Sequence, residues 1–487
     1  MILYLIFINE IFNSKAIYNK KVKIYRTLMF KKIEIWILYL VLLFGIPTTI
    51  FFGVLVRQET EGITKKGKVD ISFLTKPAAS IARIPEKLLL KLVMQNDNRL
   101  DGILRENRYF YTQNGFNGTP NLNESYLLLS RYDGEFNEGI VELVDLLNFE
   151  VIHTWNPDID AFNKAVKNDE FKNLVRDDNN SRKVLYHPKL TKDGGLLFGW
   201  NSPLRKIDAC SNLIFQKSDS FHHSIETDID GNIWIPSRIS PISLSIEKVV
   251  NFSVAESYMD DSIVKLSPDG EILFEKSLSQ IFIDNGLEYL LFARGNYDKD
   301  PFHLNDIQPV DFDGEFWQKG DVFLSLRHQS MILLYRPSTN KIIWKGTGPF
   351  FNQHDVNILS DYKISIFNNN SKDFGGGKVV DGHNQVIIYD FKTKEYSYYL
   401  NDSLIKNDVR TIAQGRSQIL PNGDLFVEET NYGRTLYFNS DGSLRWNHVN
   451  RSDNGGIYTI GWSRILYDYD DVRLVKNFLK SNLQCND

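Results

Sequence analysis

The chain has 487 residues, 42% hydrophobic and 13% aromatic, which suffices for one large all-β domain or two ordinary domains. A formal net charge of −5, without long Lys/Arg runs after residue 70, gives no reason to expect a nucleic-acid partner. Two cysteines, Cys210 and Cys485, are too few for a disulfide scaffold or a thiolate metal cluster, although in an exported domain they can pair with each other.

A transmembrane anchor is predicted at residues 35–56, because this segment carries no charge and is long enough to cross a bilayer as a helix. Basic residues precede it and acidic residues follow it. The positive-inside rule therefore predicts a cytoplasmic segment 1–34 and a chain that lies in the periplasm or another extracytoplasmic space after residue 57. A cleaved signal peptide is the alternative, but the apolar run is long for one. Because Met29 begins a Met-Phe-Lys-Lys signal, residues 1–28 are alternatively an upstream mis-start of translation.

Residues 57–120 are expected to form a stalk between the anchor and the main domain. Within the stalk, apolar residues at helical spacing from Ile81 to Met94 predict a short amphipathic helix, which rests on the membrane or packs under the main domain. The last segment, 471–487, is expected to hold a short C-terminal helix and a tail.

From about residue 121 the sequence changes to short β-rich runs separated by Asp-Gly or Asn-Gly turns. Such dipeptides between alternating hydrophobic residues are a strong hairpin signal. They begin at Asp133, Asp193, Asp230, Asp269, Asp313, Asn422 and Asp441. The longer period of roughly 40–50 residues is that of a four-stranded propeller blade.

The repeats predict an all-β fold, a six-bladed β-propeller that forms the main domain at residues 121–470. The six units are 124–156, 183–217, 220–276, 303–346, 353–400 and 410–449, and residues 456–470 are expected to supply a strand that closes the ring. In a propeller the innermost strand of each blade starts near the central channel. Residues at the heads of the repeats are therefore expected to converge although they are far apart in sequence.

Histidines gather at these repeat heads together with an arginine and an amide. The set is His222, His223, His303, Asn305, Arg327, His328 and His354. Several imidazoles with an Arg and an Asn, and without a matching group of carboxylates, predict a pocket for an anion such as a sulfate or phosphate ester. Histidine can bind the anion as a cation, or act as a nucleophile and proton carrier near neutral pH.

These phrases resemble the bacterial PAPS-independent arylsulfotransferase family, enzymes built on a six-bladed β-propeller. The resemblance rests on three motifs in order: His303 with Asn305, the Ser-x-Arg-His-Gln phrase that contains Arg327, and the Gln-His phrase that contains His354. His222 or His223 matches a further pocket histidine of the family. Many members have a cleaved signal where this chain has a predicted anchor.

The resemblance implies a ping-pong transfer of a sulfuryl group from an aryl sulfate to a phenolic acceptor, with His354 as the transient sulfohistidine. It implies that Arg327, Asn305 and a second imidazole hold the sulfuryl oxygens. His303, His222 or His223 would protonate or stabilise the departing phenolate. No cofactor is implied, and the sequence has no Gly-x-x-x-x-Gly-Lys loop for a nucleotide.

Other interpretations remain at this point. The chain could be a non-catalytic, membrane-anchored propeller that binds or scaffolds other molecules. A metalloenzyme is a second alternative, but the sequence has no HExxH motif and an Arg in the pocket would repel a cation, so no metal ligand is assigned. A quinone-dependent propeller is disfavoured because the Trp residues are scattered. His328 is predicted to face away from Arg327 along a strand, and only one of His222 and His223, preferably His223, is expected to line the channel. The natural donor, the acceptor and the oligomeric state are left open.

Overall fold

The computed structural model describes most of the chain after residue 34. The described residues are 35–60, 65–66, 69–82, 102–109, 112–166, 178–201, 203–240, 242–243, 246, 249, 258–292, 295–480 and 485. They divide into two compact units, residues 1–95 and 96–487.

The N-terminal unit is built on two helices, Ile35–Thr60 and Ser72–Ala82, which contact each other. The stretch Tyr39–Gln58 is long and apolar enough to cross a membrane, by length and composition. Strands Lys65–Lys66 and Val69–Asp70 form a small hairpin between the helices. The amphipathic helix predicted at 81–94 lies almost entirely outside the described residues.

The second unit is a six-bladed β-propeller of antiparallel sheets, which confirms the predicted fold class. Blades 1 to 3 contain the strands Arg464–Leu466, Tyr126–Asp133, Glu138–Asp145 and Glu150–Trp155; Lys189–Leu190, Leu196–Phe198, Leu204–Ile207 and Leu213–Lys217; and Glu226–Thr227, Ile233–Ile239, Asp260–Leu266 and Ile272–Ser277. Blades 4 to 6 contain Leu304–Pro309, Val322–Leu326, Met331–Arg336 and Lys341–Thr347; Val356–Ile358, Lys363–Asn368, Gln385–Asp390 and Glu395–Tyr399; and Arg416–Ile419, Leu425–Glu429, Arg434–Phe438 and Leu444–Val449. The first strand named in each blade is the innermost.

Shorter elements decorate the blades. They are the helices Ile159–Lys164, Leu278–Asp284, Asn401–Lys406 and Tyr469–Lys480, the 3₁₀ helices Glu288–Phe292 and Thr430–Tyr432, and the hairpin of Ser371–Asp373 with Lys378–Val380.

The ring is closed by both ends of the propeller segment. Arg464–Leu466 is the innermost strand of blade 1, as the sequence predicted for residues 456–470. Gly115–Gly118 adds an outer fifth strand to blade 6, and Leu104–Arg105 pairs with Ile457–Tyr458. The C-terminal part of the segment 57–120, expected as a stalk, is therefore paired with strands of the propeller.

The core consists of apolar layers between neighbouring blades. Successive residues of one strand face opposite blades: Leu128 packs with blade 2, whereas Leu127 and Leu129 pack with blade 6. Similar clusters join blades 2 and 3, 3 and 4, 4 and 5, and 5 and 6. The blades therefore follow one another around the ring in chain order.

Buried carboxylates also join consecutive blades near the channel. Asp261 accepts the backbone N–H of Leu304 at 2.7 Å, and Asp306 accepts that of Val356 at 3.0 Å. In the same way Glu428 accepts the N–H groups of Trp462 and Ser463 at 2.7 and 2.6 Å. These bonds fix the starts of the innermost strands of blades 4, 5 and 1 against the preceding blade.

The C-terminal helix Tyr469–Lys480 buries Val475 and Phe478 in the layer between blades 1 and 2. The ring of Phe478 stacks on Trp155, with centroids 5.8 Å apart. A disulfide joins Cys210 of blade 2 to Cys485, with Cα atoms 5.3 Å apart. The two cysteines that the sequence left open are thus paired.

Candidate active site

The chain turns through positive φ just before the innermost strand of every blade. The residues in blades 1 to 6 are Trp462 (63°), His187 (55°), His223 (59°), His303 (53°), Asn352 (53°) and Gln414 (59°). For a residue other than Gly this conformation costs about 1–2 kcal/mol. Such strain in a stable fold gathers at functional sites, and here it marks one end of the channel.

Asp300, His303 and Arg327 form a hydrogen-bonded chain at the head of blade 4. Nδ1 of His303 lies 2.6 Å from Oδ2 of Asp300, and Nη1 of Arg327 lies 3.4 Å from Nε2 of His303. Since the carboxylate accepts, Nδ1 carries the proton and Nε2 accepts from the guanidinium. Nε of Arg327 is buried and has no hydrogen-bond partner within the described part of the chain, which leaves a donor for a ligand.

The protonation states of Asp300 and His303 follow from their burial and from their contact with each other. Burial raises the pKa of Asp300, but the hydrogen bond and charge of His303 outweigh it and lower the pKa to about 2. Burial lowers the pKa of His303 against the opposing effect of Asp300. At neutral pH the carboxylate is therefore ionised and the imidazole neutral, with Asp300 placed to stabilise the imidazolium when an anion binds.

His328 lies in a turn rather than in a strand, which removes the basis of the prediction that it faces away from Arg327. The strand Val322–Leu326 ends before both residues, so strand alternation does not apply to them. Nδ1 of His328 donates to the carbonyl of Asp300 at 2.7 Å, and its ring stacks on that of His303 with centroids 4.5 Å apart.

His222 and His223 bond to each other and point in different directions. Their Nδ1 atoms are 2.7 Å apart. The ring of His223 contacts that of His303 at a centroid distance of 5.0 Å, whereas Nε2 of His222 lies 3.3 Å from Oδ1 of Asp261. His223 is thus the member that faces the histidine group, and His222 supports it from behind.

His354, at the head of blade 5, is held in one tautomer. Its Nδ1 lies 2.6 Å from Oδ1 of Asn369, and its Nε2 accepts the backbone N–H of Gln414 at 2.9 Å. Burial, and next the charge of Arg327, lower the pKa of His354 well below its ordinary value, and His303 acts in the same direction. The imidazole is therefore neutral, and its lone pair is on Nε2. It lies close enough to Arg327 and His303 of blade 4 for their charges to affect its pKa.

Asn305 and Gln353 set the position of His354. The side-chain amide of Asn305 donates to the carbonyl of Gln353 at 3.0 Å. The Gln353 amide donates to the carbonyls of Leu326 and Met331 at 3.1 and 3.0 Å, and so spans the turn that carries Arg327. One amide proton of Asn305 is left for a ligand.

Asp300, His303 and His328 also offer three ligand atoms within 4.8 Å of one another. One carboxylate and two imidazoles are a donor set that a divalent ion accepts. However, Nδ1 of His303 already donates to Asp300, and the guanidinium of Arg327 lies 3.4 Å from the other ring nitrogen. The charge of that guanidinium opposes a cation at this position.

A separate cavity of about 530 Å³ opens between blades 6 and 1, lined by residues that include Leu420, Asp424 and Tyr467. These follow the C-terminal ends of the innermost strands, whereas the histidines precede the N-terminal ends. The cavity is therefore at the other end of the channel from the histidine group.

Residues 187–451 match the family model described as Arylsulfotransferase (ASST). The matched segment covers more than half of the chain and contains every residue of the histidine group. The chain belongs to the arylsulfotransferase family. No curated protein sequence gives a significant match.

Two solved structures match this chain at low identity and low structural similarity. One is a crystal structure of a protein of unknown function from Bacteroides caccae, with 12% identity and a TM-score of 0.41, covering 70% of this chain and 98% of that chain. Another is a streptogramin B lyase, with 12% identity and a TM-score of 0.36, covering 72% and 97%.

The candidate site thus brings together His223, His303, Arg327 and His354, while Asn305 bonds to Gln353 beside His354 and His222 lies behind His223. Sequence reasoning did not select Asp300, Asn369, Gln414 or His187. Asn369 belongs to the run Asn368-Asn369-Asn370, which ends a strand directly after the His354 hairpin, and His187 heads the second repeat. Asp300 and Gln414 carry no comparable signal in the sequence.

Proposed function

We propose that the chain transfers a sulfuryl group from a phenolic sulfate ester to a phenolic acceptor by a ping-pong mechanism through a sulfohistidine at His354. The observation that carries this proposal is the chain Asp300–His303–Arg327 beside a buried, neutral His354. A cation with a free N–H donor next to a neutral imidazole suits an anionic ester that is to be attacked by nitrogen.

In the first step the sulfuryl oxygens bind the Arg327 guanidinium, His303 and the remaining amide proton of Asn305. His223 lines the same side of the pocket. Nε2 of His354 attacks sulfur, the S–N bond forms, and the bond from sulfur to the phenolic oxygen breaks. Because Gln414 N–H donates to Nε2 at 2.9 Å, that hydrogen bond must open before attack. The Nδ1–H of His354 meanwhile stays on Asn369, which stabilises the positive ring that sulfurylation creates.

In the second step an acceptor phenol takes the place of the released phenol. Its oxygen attacks sulfur, and the electron pair of the S–N bond returns to His354. Fixed donors at the sulfuryl oxygens serve both steps, and removing one such donor typically costs about 10²–10³ in kcat.

We place the propeller outside the cytoplasm, anchored by the N-terminal helix with its N-terminus inside. The apolar stretch Tyr39–Gln58 and the basic residues before it support this orientation. The disulfide between Cys210 and Cys485 supports an oxidising compartment. A sulfuryl donor that is not a nucleotide suits a compartment outside the cytoplasm.

The test is mass spectrometry of the protein after incubation with 4-nitrophenyl sulfate. We expect a mass gain of about 80 Da, the mass of one SO₃ unit, on the peptide that contains His354. His354→Asn should abolish the adduct and the transfer to phenol. The matched control is His153→Gln in an outer strand of blade 1, which should leave both intact. A wild-type protein that neither gains mass nor transfers sulfate would favour a non-catalytic scaffold.

The three ligand atoms of Asp300, His303 and His328 make a metalloenzyme the second candidate to test, although the Arg327 guanidinium opposes a cation there. Elemental analysis of the purified protein and the effect of a chelator separate the two. Stoichiometric metal whose removal abolishes activity would replace the sulfohistidine mechanism.

A further inference from the structure

His187, at the head of blade 2, is a buried imidazole that the proposed transfer does not yet use. Its relative exposure is 1%, and neither ring nitrogen has a hydrogen-bond partner among the described residues. Its backbone N–H donates to the carbonyl of Gly461 at 2.9 Å, which fixes the residue at its positive φ. A buried polar group without a partner costs about 1–3 kcal/mol, so a ligand or solvent at the ring nitrogens is expected.

Aromatic rings surround this imidazole. Trp200 lies parallel to it, with a centroid distance of 5.9 Å and an interplanar angle of 6°, and Trp462 meets it at 4.3 Å. Trp200 also contacts His223 at 5.1 Å, so the rings continue into the histidine group. Indole faces of this kind accept the ring of a phenol.

Arg416 adds positive charge next to Trp462. Its guanidinium carbon is 5.5 Å from the centre of the indole, and the buried Nε and Nη1 atoms have no hydrogen-bond partner in the described structure. Burial first, and then the charges of Arg464, Arg416 and His354, lower the pKa of His187 well below its ordinary value. His187 is thus neutral and within electrostatic range of both Arg416 and His354.

The order of the blades around the channel places His187 on the side opposite His354, which is proposed to attack sulfur. Six blades follow in chain order, so blade 2 stands opposite blade 5, which carries His354. In an in-line displacement the entering and leaving groups lie on opposite sides of sulfur. With the nitrogen of His354 on one side, the phenolic oxygen lies on the blade 2 side, whereas His303 and His223 of blades 4 and 3 flank the sulfuryl oxygens.

We propose that His187, Trp200 and Trp462 form the phenol subsite, in which His187 exchanges the proton of the phenolic oxygen. This inference rests on the proposed sulfuryl transfer. In the second step the acceptor O–H proton passes to a ring nitrogen of His187 while the oxygen attacks sulfur and the S–N bond breaks. The imidazolium then releases that proton to solvent. In the first step the N–H of the neutral ring donates a hydrogen bond to the departing phenolate oxygen, which takes its proton from solvent.

The decisive variant is His187→Asn, because Asn tolerates the positive φ but cannot act as a base at neutral pH. The first half-reaction is followed as the burst of phenol released from 4-nitrophenyl sulfate or phenyl sulfate, and the second as transfer to phenols of graded acidity. The control is His153→Gln, with thermal unfolding of each protein. His187→Gly, which also suits positive φ, is assayed with added imidazole.

We expect a normal burst from 4-nitrophenyl sulfate, whose leaving group does not need a proton, and a slow burst from phenyl sulfate. Transfer to phenol should fall about 10²–10⁴-fold, with a smaller loss for more acidic acceptors and partial recovery by imidazole in the Gly variant. Equal losses for all donors and acceptors, or no loss, would overturn the role of His187. If the wild type gives no burst and no adduct on His354, the proposed function itself fails.

Discussion

Asn369 fixes the tautomer of His354. Its Oδ1 lies 2.6 Å from Nδ1 of His354, and its amide nitrogen donates to the carbonyls of Thr411 and Gln414 at 3.0 and 2.7 Å. The amide therefore cannot turn around, and Nδ1 must be the protonated nitrogen.

Asn369→Ala should slow sulfurylation of His354 by about 10–100-fold, since losing the partner of a buried donor costs about 1–3 kcal/mol. The rate of the phenol burst measures this. The matched control is Asn450→Ala. The Asn450 amide is also buried, and it donates to three carbonyls where blade 6 meets blade 1. It should lower stability and leave the burst rate intact; equal burst rates in the two variants would contradict a specific role of Asn369.

Arg327→Gln should lower kcat with an aryl sulfate by about 10²–10³-fold, because in the proposed transfer Arg327 is a fixed donor to the sulfuryl oxygens. Arg336→Gln is the comparison, since Arg336 belongs to the same blade but forms a bidentate pair with Asp321 at 2.8 Å. That variant should lose stability and keep its turnover. Equal turnover in both variants would remove Arg327 from the site.

Asp300→Asn should move donor binding to lower pH. The carboxylate raises the pKa of His303, so its loss leaves burial unopposed and lowers that pKa further. Because the imidazolium binds the sulfate better than the imidazole, KM rises as pH increases through this pKa, and in the variant the rise begins at lower pH. KM for 4-nitrophenyl sulfate across pH measures the shift, with the exposed Asp269→Asn as control. An unshifted profile would show that Asp300 does not tune His303.

Acid should destabilise the propeller through its buried histidines. Burial lowers the pKa of His448 from 6.5 to about 3, so between these values the unfolded chain binds a proton that the folded chain does not. The stability present above pH 6.5 is therefore lost as pH falls, by about 1.4 kcal/mol per pH unit for one histidine. Denaturant unfolding of His448→Leu should show a shallower loss between pH 6 and pH 4 than the wild type, although both respond alike above pH 7. The same slope in both proteins would exclude His448.

Removal of the disulfide should cost about 2–4 kcal/mol of unfolding free energy. Cys210→Ser, Cys485→Ser and the double variant should lose the same amount, because each removes one and the same bond. Chemical denaturation with and without reductant measures the loss. Additive losses would mean that the thiols act separately.

The sequence allowed the blades to be predicted because the signal is local. Asp-Gly turns such as Asp133-Gly134 and Asp441-Gly442 do connect adjacent strands, and the closing strand Arg464–Leu466 lies inside the predicted segment. The direction of His328 was predicted from strand alternation, but the strand Val322–Leu326 ends before this residue, so alternation does not apply to it. Asn369 and Gln414 could not be predicted as partners of His354, since their contact depends on how blades 5 and 6 meet after closure. A short motif does not predict that a residue such as His187 adopts a positive φ.

The closing strand of blade 1 has a consequence for biogenesis. Its residues, Arg464–Leu466, are synthesised long after the rest of the blade, and Arg464 reaches Glu226 of blade 3 at 2.7 Å. Until these residues have been synthesised, blade 1 lacks its innermost strand and the circle of blades stays open. The histidines of the different blades are therefore held around one centre only once nearly the whole polypeptide has been made.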